Sequence, residues 1–124
     1  MAYGIETKCL HLEEKTGTCD KSGAVSFPIY QTATFAHLGL GESTGYDYSR
    51  LQNPTREQVE KVVAGLEGGR GAVAFSSGMA AVTAVIELFQ PGDHLIVSED
   101  LYGGSVRLLL NISRKNGIDI TRFC

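Results

Sequence analysis

The sequence predicts an α/β domain built on a largely parallel sheet and preceded by an irregular N-terminal arm. From residue 55 onward, helical and strand-like patterns alternate along the chain, which is the order that produces parallel sheets. Residues 1–54 show little sustained periodicity, and a long irregular stretch is unusual inside a compact domain. We therefore divide the chain into an arm, residues 1–54, and the first part of a larger domain, residues 55–124.

The arm carries aromatic side chains among many small polar ones. Disordered segments tend to lack aromatic residues, so this composition predicts an arm that packs on something else. The aromatic residues concerned are Phe27, Tyr30, Phe35, Tyr46 and Tyr48.

The patterned part begins with an amphipathic helix. Thr55 and Gln58, three residues apart, form a capping box that predicts a helix start at Thr55. An apolar stripe with helical spacing follows, made of Val59, Val62, Val63 and Leu66. The Gly68-Gly69 pair predicts the end of this helix.

Alternating strands and helices complete the chain. Residues 71–75 and 94–98 are short apolar runs that predict buried strands, and residues 118–121 begin a third strand. Residues 79–89 and about 105–115 predict helices. Helices on both faces of the sheet would give three layers. Since three strands with an incomplete helix layer would expose apolar surface, we expect these residues to be the leading part of a longer polypeptide.

Composition and charge exclude several functional classes. The 124 residues carry a net charge of −3, and their scattered basic residues argue against a nucleic-acid partner. No apolar stretch is long enough to cross a bilayer, and no signal peptide is evident. The odd number of cysteines, Cys9, Cys19 and Cys124, predicts free thiols in the cytoplasm. Cys9, His11 and Cys19 lack a second spaced pair, so we predict no metal site.

Two motifs suggest phosphate binding. In Ser76-Ser77-Gly78-Met79 a predicted strand passes into a helix, whose free N–H groups suit an anion. A plain turn between strand and helix is the alternative. In Tyr48-Ser49-Arg50 the planar guanidinium matches phosphate oxygens and the phenol can add a hydrogen bond. The alternative is a surface arginine beside a packed tyrosine.

A third motif, Tyr102-Gly103-Gly104, follows the second predicted strand. Its tyrosine could stack on a flat ligand and donate or accept a proton. A core aromatic residue at a loop is the alternative interpretation.

Taken in order, these motifs resemble the N-terminal third of the pyridoxal-phosphate enzymes of cysteine and methionine metabolism. This family includes cystathionine γ-synthase, O-acetylhomoserine thiolyase, the cystathionine lyases and methionine γ-lyase. The matching segments are Tyr48-Ser49-Arg50, Asn53-Pro54-Thr55-Arg56, Ser76-Ser77-Gly78-Met79-Ala80-Ala81 and Asp100-Leu101-Tyr102-Gly103-Gly104. The resemblance implies a fold-type-I transferase-like domain, three-layered α/β/α, with residues 55–124 as the first part of the large cofactor-binding domain.

The resemblance also implies a role for each candidate residue. The backbone N–H groups of Gly78 and Met79 would hold the phosphate of pyridoxal 5'-phosphate, and Tyr102 would stack on its pyridine ring and serve as a catalytic acid or base. Tyr48 and Arg50 would reach the same phosphate from a neighbouring subunit. The arm would then contact another copy, in a homotetramer of intimate dimers with shared active sites.

The family's Schiff-base lysine lies in a later Ser-x-Thr-Lys segment, and no lysine of this sequence has that setting. The aspartate for the pyridine nitrogen and the arginine for the substrate carboxylate should also lie downstream, so we expect residues 1–124 alone to be inactive.

For the complete protein, the resemblance favours γ-replacement on small amino-acid substrates, as in cystathionine γ-synthase or O-acetylhomoserine thiolyase. Gly104 stands where many bacterial methionine γ-lyases carry cysteine. A methionine γ-lyase or cystathionine lyase, and an inactive fragment acting only in binding or assembly, are the alternatives.

Overall fold

The computed structural model describes residues 4–10, 24 and 26–124. His11 and Cys19, which were weighed as metal ligands, lie outside the described residues. The helices are α1 (Ile5–Leu10), α2 (Pro54–Glu67), α3 (Gly78–Ile86), α4 (Gly103–Leu108) and a π-helical turn (Leu109–Ser113), and the strands are β1 (His94–Ser98) and β2 (Asp119–Phe123). The described residues form two compact units, one up to Ala74 and one from Phe75 to Cys124.

The unit from Phe75 onward contains a parallel sheet, as predicted. β1 pairs with β2 from His94 opposite Asp119 to Ser98 opposite Phe123, and α4 with the π-helical turn connects the two strands. The core consists of Leu109, Ile118 and Ile120, with Ile86, Phe89, Leu95, Val97 and Leu101 packed against it. Alternate residues of β1 face this core, since Leu95 and Val97 are half-buried and the residues between them are exposed.

The start of α2 differs from the predicted one. Asn53, not Thr55, is the N-cap: its side-chain oxygen accepts a hydrogen bond from the Thr55 N–H at 2.9 Å. Pro54 occupies the first helical position, where a missing N–H costs no hydrogen bond. The Thr55 hydroxyl instead accepts from the Tyr30 N–H at 2.9 Å. The helix ends at Gly68, which takes the left-handed conformation at φ 64°.

Two further predictions need correction. Residues 71–75 do not form a strand: in the described part of the chain the sheet consists of β1 and β2. The Ala74 N–H is bound instead by the Glu60 carboxylate at 2.8 Å. The last helix begins at Gly103 and widens at Leu109 into a π-helical turn. In that turn the Arg114 N–H reaches the Leu109 carbonyl, so Leu109 and Ser113 both face the core.

Within the described residues, no helix is both long and apolar enough to cross a membrane. The same residues contain no group of three His, Cys, Asp or Glu side chains that could hold a metal ion. Cys9 and Cys124 are free, exposed thiols.

Candidate cofactor site

The N-terminus of α3 has backbone N–H groups that no other group of the helix binds. Ser77, in extended conformation, caps the helix by accepting the Ala80 N–H at 3.1 Å. Gly78 and Met79 are the first two helical residues, so their N–H groups have no partner within the helix. Among the described residues, no atom outside the local backbone lies within 4 Å of a methyl group built on Gly78. An anion can therefore approach these N–H groups closely.

Tyr102 lies beside this helix start. It precedes α4, and 71% of its surface is exposed. A methyl group built on Gly104 would lie 2.6 Å from the Tyr102 Cε1 atom and 3.1 Å from the Met79 sulfur. Tyr102 and Met79 thus converge on Gly104, and the structure brings these two predicted site residues together. An exposed flat ring next to free N–H groups suits a planar, phosphorylated ligand.

Tyr48 and Arg50 also lie together, in the other unit. The Arg50 guanidinium carbon is 4.9 Å from the centre of the Tyr48 ring, a distance at which a cation and an aromatic face attract. An antiparallel pairing fixes Tyr48 opposite Thr34. The Leu51 and Gln52 N–H groups both donate to the Tyr48 carbonyl at 2.9 Å. We call residues 48–52, closed by these hydrogen bonds, the Arg50 turn.

Sequence reasoning missed the residues that hold the Arg50 turn. The Arg56 guanidinium donates to the carbonyls of Ser49 at 3.1 Å, of Arg50 at 3.4 Å, and of Leu51. The Asn53 side chain donates to the Ser49 hydroxyl at 2.9 Å. The sequence signal for these residues is the Asn-Pro-Thr-Arg segment, two residues after Tyr48-Ser49-Arg50.

Hydrogen bonds perturb the ionisable groups next to the Arg50 turn. Asp47 accepts from the Ser43 hydroxyl at 2.8 Å and pairs with His37 at 2.7 Å, and these bonds hold the pKa of Asp47 below its usual value. The Tyr46 hydroxyl donates to Glu57. That bond, with some burial and the charge of Glu57, raises the pKa of Tyr46 to about 12.

The same region encloses a cleft of about 670 Å³ with a charged lining. Glu57 also pairs with Lys61 at 2.5 Å, and mainly this pairing lowers the pKa of Glu57. Basic and acidic side chains both line the cleft, among them Arg50, Arg56, Glu57 and Glu60. In the four ion pairs found among the described residues, Arg50 takes no part. Its positive charge is therefore not neutralised by a carboxylate in that part of the chain.

Comparison with known proteins gives a consistent assignment. The model of the family described as Cys/Met metabolism PLP-dependent enzyme matches residues 6–123. The chain is 48% identical to the cystathionine gamma-synthase/O-acetylhomoserine (thiol)-lyase of Bacillus subtilis, over 95% of this chain and 31% of that protein. It is also 48% identical to a cystathionine beta-lyase of Lactococcus lactis, over 92% of this chain and 30% of that protein.

Solved structures show the same likeness. The metB structure from Corynebacterium glutamicum superimposes with a TM-score of 0.87 at 35% identity, over 98% of this chain and 32% of that one. A cystathionine gamma synthase from Xanthomonas oryzae gives a TM-score of 0.84 at 36% identity, over 98% of this chain and 31% of that one. The predicted fold class is confirmed, and the chain spans about a third of the length of these relatives. The chain belongs to the Cys/Met metabolism PLP-dependent enzyme family.

Proposed function

We propose that the chain forms the phosphate-binding side of a pyridoxal-phosphate active site in an enzyme of sulfur amino-acid metabolism. The observation that carries the proposal is the open N-terminus of α3 beside the exposed ring of Tyr102. The first turn of α3 contains no acidic residue, so no carboxylate there repels a phosphate. A helix start that combines free N–H groups with a positive dipole end is a general phosphate-binding arrangement.

The residues present fit this cofactor. The Gly78 and Met79 N–H groups would donate to the phosphate, because the Ser77 cap uses the N–H of Ala80 and leaves theirs available. The Tyr102 ring would lie on the pyridine ring, and its hydroxyl oxygen would hold or move a proton. When bound, pyridoxal phosphate supplies the electron sink for negative charge at the substrate's α-carbon. The protein's share is binding, orientation and proton handling.

Tyr48 and Arg50 would complete the phosphate site of a second copy of the chain. Arg50 has no ion-pair partner in the described part of the chain, so its charge is available to a phosphate. The segment around it exposes large apolar side chains, namely Ile29, Leu38, Leu40 and Leu51. Several exposed apolar side chains in one segment favour a surface that a partner covers. We therefore propose a homo-oligomer, a tetramer of intimate dimers, with active sites shared between chains.

For the reaction we propose γ-replacement, as in cystathionine γ-synthase or O-acetylhomoserine thiolyase. Gly104, at the position where many bacterial methionine γ-lyases carry cysteine, supports this choice over a methionine γ-lyase. Cystathionine lyase activity is the second candidate, favoured by the 48% identity to the Lactococcus beta-lyase. We place the enzyme in the cytoplasm, where the exposed thiols of Cys9 and Cys124 would stay reduced.

The test is to express the protein from its complete reading frame and assay the two reactions side by side. We expect cystathionine to form from an O-acylated homoserine and cysteine. Release of a 2-oxo acid and ammonia from cystathionine, without the synthesis reaction, would assign a lyase. A protein that takes up no pyridoxal phosphate would contradict the proposal and favour a role in binding or assembly alone.

A further inference from the structure

We propose that Arg56 is a positioning residue that holds the Arg50 turn in the shape that presents Arg50 to an anion. The inference rests on the proposed function only in taking that anion to be the cofactor phosphate. Arg56 acts through Arg50 and does not itself have to contact the cofactor.

The side chain of Arg56 binds backbone carbonyl groups. A single guanidinium donates to the carbonyls of three consecutive residues, Ser49, Arg50 and Leu51. Arginine has five N–H donors in a rigid planar fork, which allows one side chain to bind several acceptors at once. Lysine offers a compact ammonium group on a flexible stem, so it cannot bind the three carbonyls in the same fixed geometry.

The position of Arg56 in α2 also indicates a purpose beyond helix stability. Arg56 is the third residue of α2, where a cation faces the positive end of the helix dipole and is unfavourable. The three carbonyls carry partial negative charge and offset that cost. Glu60, one helical turn later, lies 3.7 Å from the Arg56 guanidinium and at the same time binds the Ala74 N–H. The guanidinium is thereby anchored on its helix side.

The two sides of the turn are held by different bonds. On one side, the Leu51 and Gln52 N–H groups converge on the Tyr48 carbonyl. On the other side, the carbonyls of residues 49–51 converge on Arg56. Without the cation these carbonyls would have to diverge toward water, and Arg50, in the middle of the turn, would lose its fixed direction.

The experiment compares Arg56→Gln and Arg56→Lys in the cofactor-loaded protein expressed from its complete reading frame. Arg70→Gln is the matched control, because Arg70 is exposed and its side chain has no hydrogen bond within the described residues. Two quantities are measured: the dissociation constant of pyridoxal phosphate and the hydrogen-exchange rates of the Leu51 and Gln52 amides. We expect Arg56→Gln to weaken cofactor binding roughly tenfold, the lower end of a charged hydrogen bond's contribution, and to accelerate both amides.

The pattern across variants separates positioning from other roles. For both the dissociation constant and the exchange rates, Arg56→Lys should give values between those of wild type and Arg56→Gln. Arg70→Gln should match wild type in both. Because Arg56 acts through Arg50, adding Arg56→Gln to Arg50→Ala should cause no further loss of cofactor affinity. Additive losses would mean that Arg56 binds the cofactor independently, which would overturn the proposal.

The remaining outcomes are also decisive. If Arg50→Ala weakens cofactor binding but Arg56→Gln changes neither affinity nor exchange, the positioning role is refuted. If Arg50→Ala leaves affinity unchanged, the proposed phosphate contact of Arg50 fails, while faster exchange in Arg56→Gln would still support the holding of the turn. Should Arg56→Gln fail to fold, Arg56→Lys decides between the outcomes on the same two measurements.

Discussion

Replacing Gly104 with alanine should reduce cofactor binding without destabilising the protein. The added methyl group would lie 2.6 Å from Tyr102 Cε1 and 3.1 Å from the Met79 sulfur, distances that at least one neighbour must relieve. Tyr102 is 71% exposed, so its ring is the neighbour that moves into solvent. The backbone accepts alanine, because Gly104 lies in α4 and has no positive φ.

The expected changes in the free energy of unfolding and in cofactor affinity have different origins. Alanine in a helix is favoured over glycine by up to about 1 kcal/mol, which offsets the cost of moving an exposed ring. The free energy of unfolding should therefore stay within about 1 kcal/mol of wild type. The displaced ring would lose the proposed stacking on the cofactor, which is worth about 0.5–1.5 kcal/mol for an aromatic pair. That loss corresponds to a roughly two- to tenfold weaker binding of pyridoxal phosphate.

Gly103→Ala is the matched control for this prediction. A methyl group there meets no non-neighbouring atom of the described residues within 4 Å, and it makes a similar backbone change one residue earlier. The assay is a cofactor titration together with a thermal melt and kcat/KM for both variants of the protein expressed from its complete reading frame. If Gly104→Ala keeps the wild-type cofactor affinity and turnover, glycine at position 104 is not needed to hold the Tyr102 ring in place. Equal losses in both variants would lead to the same conclusion.

Other perturbations test separate parts of the site. Arg50→Ala should weaken pyridoxal phosphate binding roughly ten- to a hundredfold, the contribution of a charged hydrogen bond; an unchanged cofactor titration would make Arg50 a surface residue. Mixing Arg50→Ala with Tyr102→Ala subunits should restore roughly a quarter of wild-type activity, because half the dimers are hybrid and each has one intact site. Activity equal to the parents' average, with hybrids confirmed by native mass spectrometry, would place both residues in one chain's site. Since the Tyr46 pKa is raised from 10.0 to about 12, its neutral form is favoured on folding, and its contribution should be complete below pH 10 and disappear as pH rises through 12. Tyr46→Phe should remove this alkaline dependence, and an identical pH–stability profile for Tyr46→Phe and wild type would exclude the Glu57 hydrogen bond as its source.

Sequence patterns over a few residues predict some of the helices and strands correctly and others incorrectly. The apolar stripe of α2, the short apolar runs at β1 and β2 and the order of helices and strands were sufficient to predict a helix and a parallel sheet. The run at residues 71–75 is also apolar, yet it is not a strand, and a strand exists only when a neighbour supplies hydrogen bonds. The start of α2 was misplaced because Asn53 and Thr55 are both good caps. Pro54 between them was the deciding signal, since proline prefers the first helical position.

Some local features of the candidate site depend on a single position along the chain, and these can be predicted from the sequence. The sequence predicts free N–H groups near Gly78 because a helix begins after the Ser-Ser-Gly turn, and α3 does begin at Gly78, although residues 71–75 before it do not form a strand. The role of Arg56 was not predictable in this way, because spacing does not reveal which carbonyls converge on a side chain. The contact of Tyr102 with Gly104 was missed for a related reason: it depends on the direction that the ring takes at the start of α4.

The starts of α2 and α3 differ in how many of their backbone N–H groups are left free. At α2 the first two positions leave no free donor: Pro54 has no N–H, and the Thr55 N–H is bound by the Asn53 side chain. At α3 the first helical residues are Gly78, which has no side chain, and Met79, and the Ser77 cap binds an N–H further along the helix. A helix start that serves only structure gains stability by satisfying its first donors. Because the Gly78 and Met79 N–H groups have no partner in the described part of the chain and lie in an uncrowded position, an anion bound there would supply hydrogen bonds that the chain itself does not.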